Sequence, residues 1–93
     1  MKVYKSPQVR MDGKRIIYAF NNSKITATID GVTDVFDLTG IKSAVNAKSI
    51  KTTLDINPIE RIDYVDGELE VRVTNYIGAD STEAERFPYF QEV

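Results

Sequence analysis

Three Asp-Gly dipeptides divide the sequence into β-rich runs, and each of them follows an apolar residue: Asp12-Gly13, Asp30-Gly31 and Asp66-Gly67. A type I′ turn needs positive φ at both central residues, so Asp-Gly between alternating apolar segments is a strong hairpin signal. The chain has 93 residues, which lies within the usual range of about 50–200 for one domain. The sequence therefore predicts a single small domain built on an antiparallel sheet.

The first half of the chain alternates apolar and polar residues in three runs, which predicts a three-stranded meander over residues 14–38. The turn between the first two strands falls at Asn21-Asn22, since Asn tolerates left-handed backbone. Asp34 interrupts the apolar face of the third strand, so we expect a β-bulge near Asp34 or Val35. Residues 41–49 predict a loop with one helical turn, because their Ser and Asn residues favour turns over helix interiors.

The second half predicts a strand over residues 50–56 and then a hairpin, with strands at 59–65 and 68–76. On the return strand of the hairpin Leu69, Val71 and Val73 face inward, while the charged residues between them face solvent. The resulting fold class is mostly β, with about six antiparallel strands in hairpins and a meander. These strands form a small sandwich or a partly open barrel.

Two terminal segments flank this sheet. Residues 1–13 are predicted to be a flexible, basic N-terminal arm, and residues 80–93 a short helix followed by an aromatic tail. Thr82 and Glu85 have the spacing of a capping box at a helix N-terminus. Pro88 limits that helix to about one and a half turns, because proline cannot continue a helix interior.

Composition excludes several kinds of chemistry. The chain has no Cys and no His, so disulfides, thiolate nucleophiles and the usual general base near neutral pH are missing. We therefore predict no catalytic residues, no metal site and no cofactor. No apolar run approaches the roughly 20 residues that a membrane span needs. Residues 1–7 lack the apolar segment of a signal peptide, so we expect a protein that is cytosolic where it is made, with no membrane insertion.

Charge is unevenly distributed along the chain. Residues 1–24 hold six basic residues and one acidic residue, whereas residues 25–93 hold six basic and thirteen acidic ones. The simpler interpretation is ordinary solvated faces; the alternative is that the basic end contacts an acidic end, within the domain or between copies. A pI near 5.0 and the lack of a basic–aromatic stripe disfavour nucleic acid as a partner.

Two groups of carboxylates are candidates for a metal or catalytic site. Asp30, Asp34 and Asp37 do not follow the ligand order of a calcium loop, and Asp34 and Asp37 fall on opposite sides of a regular strand. The second group surrounds the second hairpin, where solvent-facing carboxylates are poorly suited to acid–base catalysis; its members are Asp63, Asp66, Glu68 and Glu70.

The aromatic tail is the most informative feature without a catalytic role. Either Phe87, Tyr89 and Phe90 fold back to cover the open end of the sheet, or they form an apolar patch that binds a partner. Burying one large apolar side chain is worth about 1.5–3 kcal/mol, so we expect these aromatics to be covered in one of those two ways. The predicted partner-contact residues are these three aromatics with Tyr76, together with three basic residues near the N-terminus: Lys2, Lys5 and Arg10.

Several segments carry a family resemblance: ITATIDGVTDVFDLTG at 25–40, TTLDINPI at 52–59, DGELEVRVTNYIG at 66–78 and TEAERFPYFQEV at 82–93. They resemble small proteins encoded by tailed bacteriophages and prophages of Gram-positive bacteria, from the tail-gene region. Residues 41–49 depart from that pattern. The resemblance implies synthesis in the cytoplasm of the bacterial host and a role in the virion or its assembly. It implies no catalytic residues.

The expected function is that of a non-enzymatic structural or assembly protein of a phage or prophage, associated with the tail. It would act through contacts with other virion proteins or with further copies of itself. One alternative is a phage-encoded binding module that regulates a host protein. A second is a small hydrolase acting on glycans or cell wall, which would use the carboxylates of the second hairpin.

Overall fold

The computed structural model describes residues 1–93 and contains seven strands in two sheets. Its regular elements also include a one-turn helix, α1, and a single turn of 3-10 helix at Ala47–Ser49. The strands are β1 (Lys2–Val9), β2 (Ile16–Asn21), β3 (Lys24–Ile29), β4 (Val32–Asp37), β5 (Ile59–Val65), β6 (Glu68–Ile77) and β7 (Gln91–Glu92), and α1 spans Glu83–Arg86. The predicted mostly-β fold class is confirmed.

The larger sheet has the order β5-β6-β1-β7 and includes the N-terminus of the chain. Strand β1 pairs in parallel with β6 over its whole length and antiparallel with β7 at Lys2 and Val3. The prediction of a flexible arm over residues 1–13 is therefore wrong for residues 2–9. Apolar side chains of β1, such as Val3, complete the core beside strands that are distant in sequence. The pattern of apolar residues within the N-terminal segment does not reveal that contact.

The smaller sheet is the predicted meander β2-β3-β4. Its turns follow the sequence signals, since Asn22 and Asp30 have φ of 56° and 51°, and Gly31 has φ of 77°. The pairing of β3 with β4 is regular, so the bulge expected near Asp34 or Val35 is absent. The polar side chain of Asp34 is accommodated instead by hydrogen bonds with the segment that follows the meander.

Two further predictions, a hairpin turn at Asp12-Gly13 and a strand over residues 50–56, are wrong. Asp12-Gly13 joins β1 to β2, which belong to different sheets, so it forms a bend and not a hairpin. Residues 50–56 form no strand, and residues 53–56 form bends. Asn57 explains part of this difference, because its side chain donates to the Ala47 carbonyl and accepts from the Ile59 amide. Side-chain hydrogen bonds connect this segment to its neighbours, and no strand pairs with it.

The two sheets pack through their apolar faces. Fourteen buried residues form one cluster, with Ile25 and Ala27 contributed by β3 and Val71 and Val73 by β6, all four fully inaccessible to solvent. Leu69 also faces inward as predicted, and is 7 % exposed. On one side of this sandwich, residues of β1, β2 and β6 face the tail. The tail, residues 82–93, passes over that region, and a groove remains between them.

Candidate functional site

The groove between β1 and the tail has a volume of about 270 Å³ and brings together residues from five elements. Its floor contains Val3, Ile16 and Asn75, and its far wall is made by the tail. Two of the predicted partner-contact residues, Lys5 and Tyr89, line it. This is the one concave site of the molecule in which predicted contact residues from distant parts of the chain meet.

Lys5 supplies the positive charge of the groove. It lies on the inward-facing side of β1, because its register partner on β6 is the buried Val73. Its ammonium nitrogen lies 5.7 Å from the centre of the Phe20 ring, a cation–π distance. The ion pairs of the molecule involve other cations. Lys5 therefore has an aromatic neighbour and no carboxylate counterion.

Asn75 is the least expected residue of the groove. It is 8 % exposed, and its position on β6 has the same parity as the core residues Val71 and Val73. Its side-chain amide takes no part in the hydrogen bonds that the other polar side chains make. No fully buried side-chain nitrogen or oxygen is left without a partner, so the Asn75 amide keeps some access to solvent, and the residue lines the groove. It presents a donor and an acceptor to whatever occupies that space.

The wall of the groove is held by the predicted capping box. The Thr82 hydroxyl accepts from the Glu85 amide, and the Glu85 carboxylate accepts from the Thr82 amide and hydroxyl. These hydrogen bonds lower the pKa of Glu85 below its ordinary value. The Arg86 guanidinium donates to the carbonyls of Gly78 and Ala79, at 2.8 and 2.9 Å. A helix of one turn is thereby fixed to the end of β6.

The tail aromatics divide into two groups. Phe90 lies 5.5 Å from Tyr4, centre to centre, and the Arg72 guanidinium lies 4.9 Å from the Tyr4 ring and 5.3 Å from the Phe90 ring. Phe87 and Tyr89 are instead 74 % and 66 % exposed. The expectation that the aromatics fold back onto the sheet therefore holds for Phe90 and is wrong for Phe87 and Tyr89, and contact of these two with a partner stays a prediction.

The remaining predicted contact residues lie elsewhere. Tyr76 is 3 % exposed and packs under Arg10, whose guanidinium lies 4.8 Å from the ring centre. A partner cannot touch Tyr76, so its prediction as a contact residue is wrong; the end of β6 is covered on both faces. Arg10 also pairs with Asp12, and the Lys2 ammonium lies 3.7 Å from Glu68. Neither cation belongs to the groove.

Two of the four carboxylates of the second hairpin, Asp63 and Glu68, are engaged in ion pairs, whereas Asp66 and Glu70 are in none. Arg61 contacts Asp63 at 2.7 Å, and Asp66 occupies the turn with φ of 50°. A hydrogen bond with Glu92 and the nearby terminal ammonium keep the pKa of Glu68 below its ordinary value. Asp66 and Glu68 also border a second, wider cleft of about 560 Å³ between the hairpin and residues 38–42. A lowered pKa is the opposite of what a general acid needs near neutral pH.

The first group of carboxylates has structural contacts. Asp34 accepts from the Thr52 hydroxyl at 2.7 Å and from the Thr53 amide at 3.1 Å. Asp37 accepts from the Thr39 amide, and Asp30 forms the turn while pairing with Lys14 at 2.9 Å. These carboxylates do not converge on a common point.

Of the residues that line the groove, sequence reasoning named Lys5 and Tyr89 as contact residues and did not name Asn75 or Gln91. The signal for Asn75 was available. An amide at a position where alternation places core residues is costly unless it is satisfied. Gln91 carried no comparable signal, because strand β7 is only two residues long.

No helix of the structure is both long and apolar enough to cross a membrane. No group of three or more Asp and Glu side chains is arranged to hold a metal ion. Comparisons with protein-family models, with curated proteins and with solved structures find no match for this chain. The fold and the groove therefore define the molecule only as a small two-sheet β protein with an open groove of mixed polar and apolar lining.

Proposed function

We propose that this chain is a non-enzymatic structural or assembly protein of a tailed phage or prophage, associated with the tail, which acts through protein–protein contacts. The observation that carries the contact role is the exposure of Phe87 and Tyr89 beside a groove that contains Lys5 and Asn75. The phage assignment rests on the sequence resemblance alone.

The exposed aromatics support a contact surface because of where they are placed. Aromatic side chains are enriched at interfaces, where they bury a large area at low entropic cost. Phe87 caps α1, donating its backbone amide to the Glu83 carbonyl at 2.9 Å. Phe90 is held by Tyr4 and Arg72 a few residues further on. Two large apolar side chains are thus displayed on a segment that is fixed at both ends, which lowers the entropic cost of binding.

The groove also supports the alternative, a binding module for a host protein, because the unpartnered Asn75 amide suits recognition of one specific partner. Oligomeric state separates the two roles. A tail component that assembles with copies of itself associates as its concentration rises, whereas a regulator remains a monomer. Size-exclusion chromatography with light scattering over a range of concentrations measures this directly.

The direct test is mass spectrometry of virions purified after induction of the phage that encodes the chain. We expect the wild-type chain in virions and a strong reduction for the double variant Phe87→Ser/Tyr89→Ser. The matched control is Ile17→Ser/Val35→Ser, which removes two exposed apolar residues (68 % and 54 % exposed) from the outer face of the meander. Absence of the wild-type chain from virions would refute the structural role, and equal loss in both double variants would refute the assignment of the surface.

A further inference from the structure

We propose that the groove between β1 and the tail binds a single primary carboxamide, the side chain of an Asn or Gln residue of a partner protein, against the amide of Asn75. This inference deepens the proposed function and rests on it, since it names the chemistry by which the contact surface selects its partner. Three observations carry it: an almost fully buried amide without a partner in the chain, a lining whose charges balance, and a groove of side-chain size.

Asn75 occupies a position that the sheet would ordinarily fill with an apolar residue. It is 8 % exposed and has the same parity on β6 as Val71 and Val73, which are both fully buried. The adjacent buried polar residue is paired, since the Thr74 hydroxyl donates to Glu60 at 2.7 Å. The side chain of Asn75 makes no hydrogen bond within the chain. A buried amide in that state lowers stability, so folding alone does not account for it.

The neighbouring strands explain why Asn75 has no partner. On one side of β6 it lies opposite Pro7 of β1, whose ring offers neither a donor nor an acceptor. On the other side the pairing with β5 stops at Ile59, opposite Val73, so no residue of β5 faces Asn75. No fully buried side-chain nitrogen or oxygen lacks a partner, so the amide keeps some access to solvent, and Asn75 lines the groove. A ligand that fills the groove therefore contacts Asn75 and can replace the solvent at its amide.

The hydrogen-bonding pattern of this amide indicates the matching group. Asn75 presents an NH₂ donor and a carbonyl acceptor side by side. A primary carboxamide carries the same two groups on one edge and can pair with both at once. A trans peptide bond directs its N–H and C=O to opposite sides. An ionised carboxylate only accepts, and an ammonium or guanidinium group only donates. Asn and Gln side chains therefore match both groups of Asn75.

The charges of the lining favour a neutral ligand over an ion. Lys5 and Glu85 are the charged residues of the groove, and their formal charges cancel. The groove therefore has no excess charge to offset the cost of removing an acidic or basic side chain from water. Gln91 adds a second neutral amide to the lining. Its side chain likewise makes no hydrogen bond within the chain.

The size of the groove restricts the ligand to one side chain. Its volume of about 270 Å³ lies below the range of about 300–1,000 Å³ that is usual for sites of drug-sized ligands. The apolar residues Val3, Ile16 and Pro88 line it and can contact the methylene groups of a glutamine. Tyr89 also lines the groove and is 66 % exposed. A partner segment whose carboxamide enters the groove would therefore also cover part of the exposed aromatic surface.

The test uses the full wild-type chain and blocked tripeptides with alanine on both sides of glutamine, glutamate or methionine. Each peptide is acetylated and ends in an N-methylamide, so the glutamine side chain is the only primary carboxamide. NMR titration follows the side-chain NH₂ groups of Asn75 and Gln91. We expect millimolar binding of the glutamine peptide with shifts at both groups, and binding about tenfold weaker for the other two peptides. This comparison does not depend on the folding of any variant.

The variant Asn75→Leu assigns the preference to the buried amide. It replaces the amide with an apolar side chain of similar size, so glutamine and methionine peptides are expected to bind with affinities within about twofold of each other. The unfolding free energy is expected not to fall, because no hydrogen bond is lost. The matched control Asn21→Leu makes the same change at an exposed position outside the groove. It is expected to keep the preference for glutamine, and loss of the preference in both variants would overturn the role of Asn75.

The proposal is overturned if the glutamine peptide does not bind at tens of millimolar, or if glutamine and methionine peptides bind the wild type equally. Adenosine serves as a further probe, because the edge of its base also carries a donor beside an acceptor. Tighter binding of adenosine than of the glutamine peptide would overturn the assignment of the groove to a protein segment. Failure here is distinguishable from failure of the proposed function. If Phe87→Ser/Tyr89→Ser still removes the chain from virions while the glutamine peptide does not bind, the contact role remains and carboxamide recognition is rejected.

Discussion

The hydroxyl of Tyr18 on β2 donates to the backbone carbonyl of Thr74 on β6 at 2.5 Å, and so joins the two sheets. Thr74 is 7 % exposed, and its own hydroxyl donates to Glu60 at 2.7 Å. Strand β5 begins at Ile59, opposite Val73, so its ladder does not extend along the last residues of β6. The Tyr18 hydroxyl therefore supplies a hydrogen-bond donor to the Thr74 carbonyl, close to the point where β5 no longer pairs with β6.

Removing this hydroxyl is expected to destabilise the fold. Tyr18→Phe leaves the Thr74 carbonyl without its partner in a buried setting, which costs about 1–3 kcal/mol of unfolding free energy. Tyr89→Phe is the matched control, because it removes a hydroxyl from a residue that is 66 % exposed, and a change within about 0.5 kcal/mol is expected. Urea unfolding followed by far-UV circular dichroism measures both. Equal effects of the two substitutions would contradict the role of Tyr18.

Tyr18 also predicts a loss of stability in alkali. Burial raises the pKa of its hydroxyl above the ordinary value of 10.0, and electrostatic interaction with Glu60 and then with Tyr76 raises it further. The folded-state pKa therefore exceeds the unfolded one. The associated stability is fully present below about pH 10 and is lost as the pH rises towards the folded pKa. Unfolding free energy measured from pH 8 to 11 should fall more steeply above pH 10 for the wild type than for Tyr18→Phe. Parallel profiles would contradict this assignment.

Asp34 is expected to hold the segment after the meander in place. Asp34→Ala removes the acceptor for the Thr52 hydroxyl and the Thr53 amide, and we expect a loss of about 1–3 kcal/mol. Hydrogen exchange at the Thr53 amide should become faster, while exchange in β3 changes only through global unfolding. Asp55→Ala, an exposed carboxylate in the same segment, serves as the control. Unchanged exchange at Thr53 in Asp34→Ala would show that the segment is held by other contacts.

The same carboxylate gives a prediction in acid. The hydrogen bond from Thr52, and then that from Thr53, lower the pKa of Asp34 below its ordinary value of 3.8. A lowered folded-state pKa contributes stability that is present above about pH 4 and is lost as the pH falls through the folded value. The wild type should therefore lose more stability than Asp34→Ala between pH 5 and 2 in the same unfolding assay. A constant difference in unfolding free energy between the two proteins across that range would contradict this role of the Asp34 carboxylate.

Local patterning predicted the parts of the fold that are local in sequence. Asp30-Gly31 and Asp66-Gly67 form the expected turns, because hairpin geometry depends on the residues at the turn itself. The capping box of Thr82 and Glu85 was likewise readable, since its partners are three residues apart. In each of these cases the physical cause lies within a few residues of its effect.

The missed features depend on contacts between distant residues. Strand β1 contains Lys2, Lys5, Ser6 and Pro7, and this polar composition obscured a strand whose pairing with β6 spans most of the chain. The groove was missed for the same reason, since Asn75 and Tyr89 meet Lys5 only after β1 has inserted between β6 and β7. The expected strand at 50–56 had the right alternation but found no partner, and alternation alone does not supply one.

The last prediction separates the two groups of tail aromatics. Phe90→Ala removes the contacts with Tyr4 and Arg72. A tilted aromatic pair is worth about 0.5–1.5 kcal/mol, and an exposed cation–π contact about 0.5–1 kcal/mol. We therefore expect a loss of about 1–2 kcal/mol. Trypsin should also cleave faster after Arg86, because β7 contributes only two residue pairs to hold the tail.

Phe87→Ala provides the matched control, since this ring is 74 % exposed and its truncation is expected to change the unfolding free energy by no more than about 0.5 kcal/mol. Cleavage after Arg86 should remain slow in this variant, because the Phe90 contacts are intact. The comparison would fail if Phe87→Ala released the tail as readily as Phe90→Ala, since both aromatics would then act in folding and neither would be free to bind a partner.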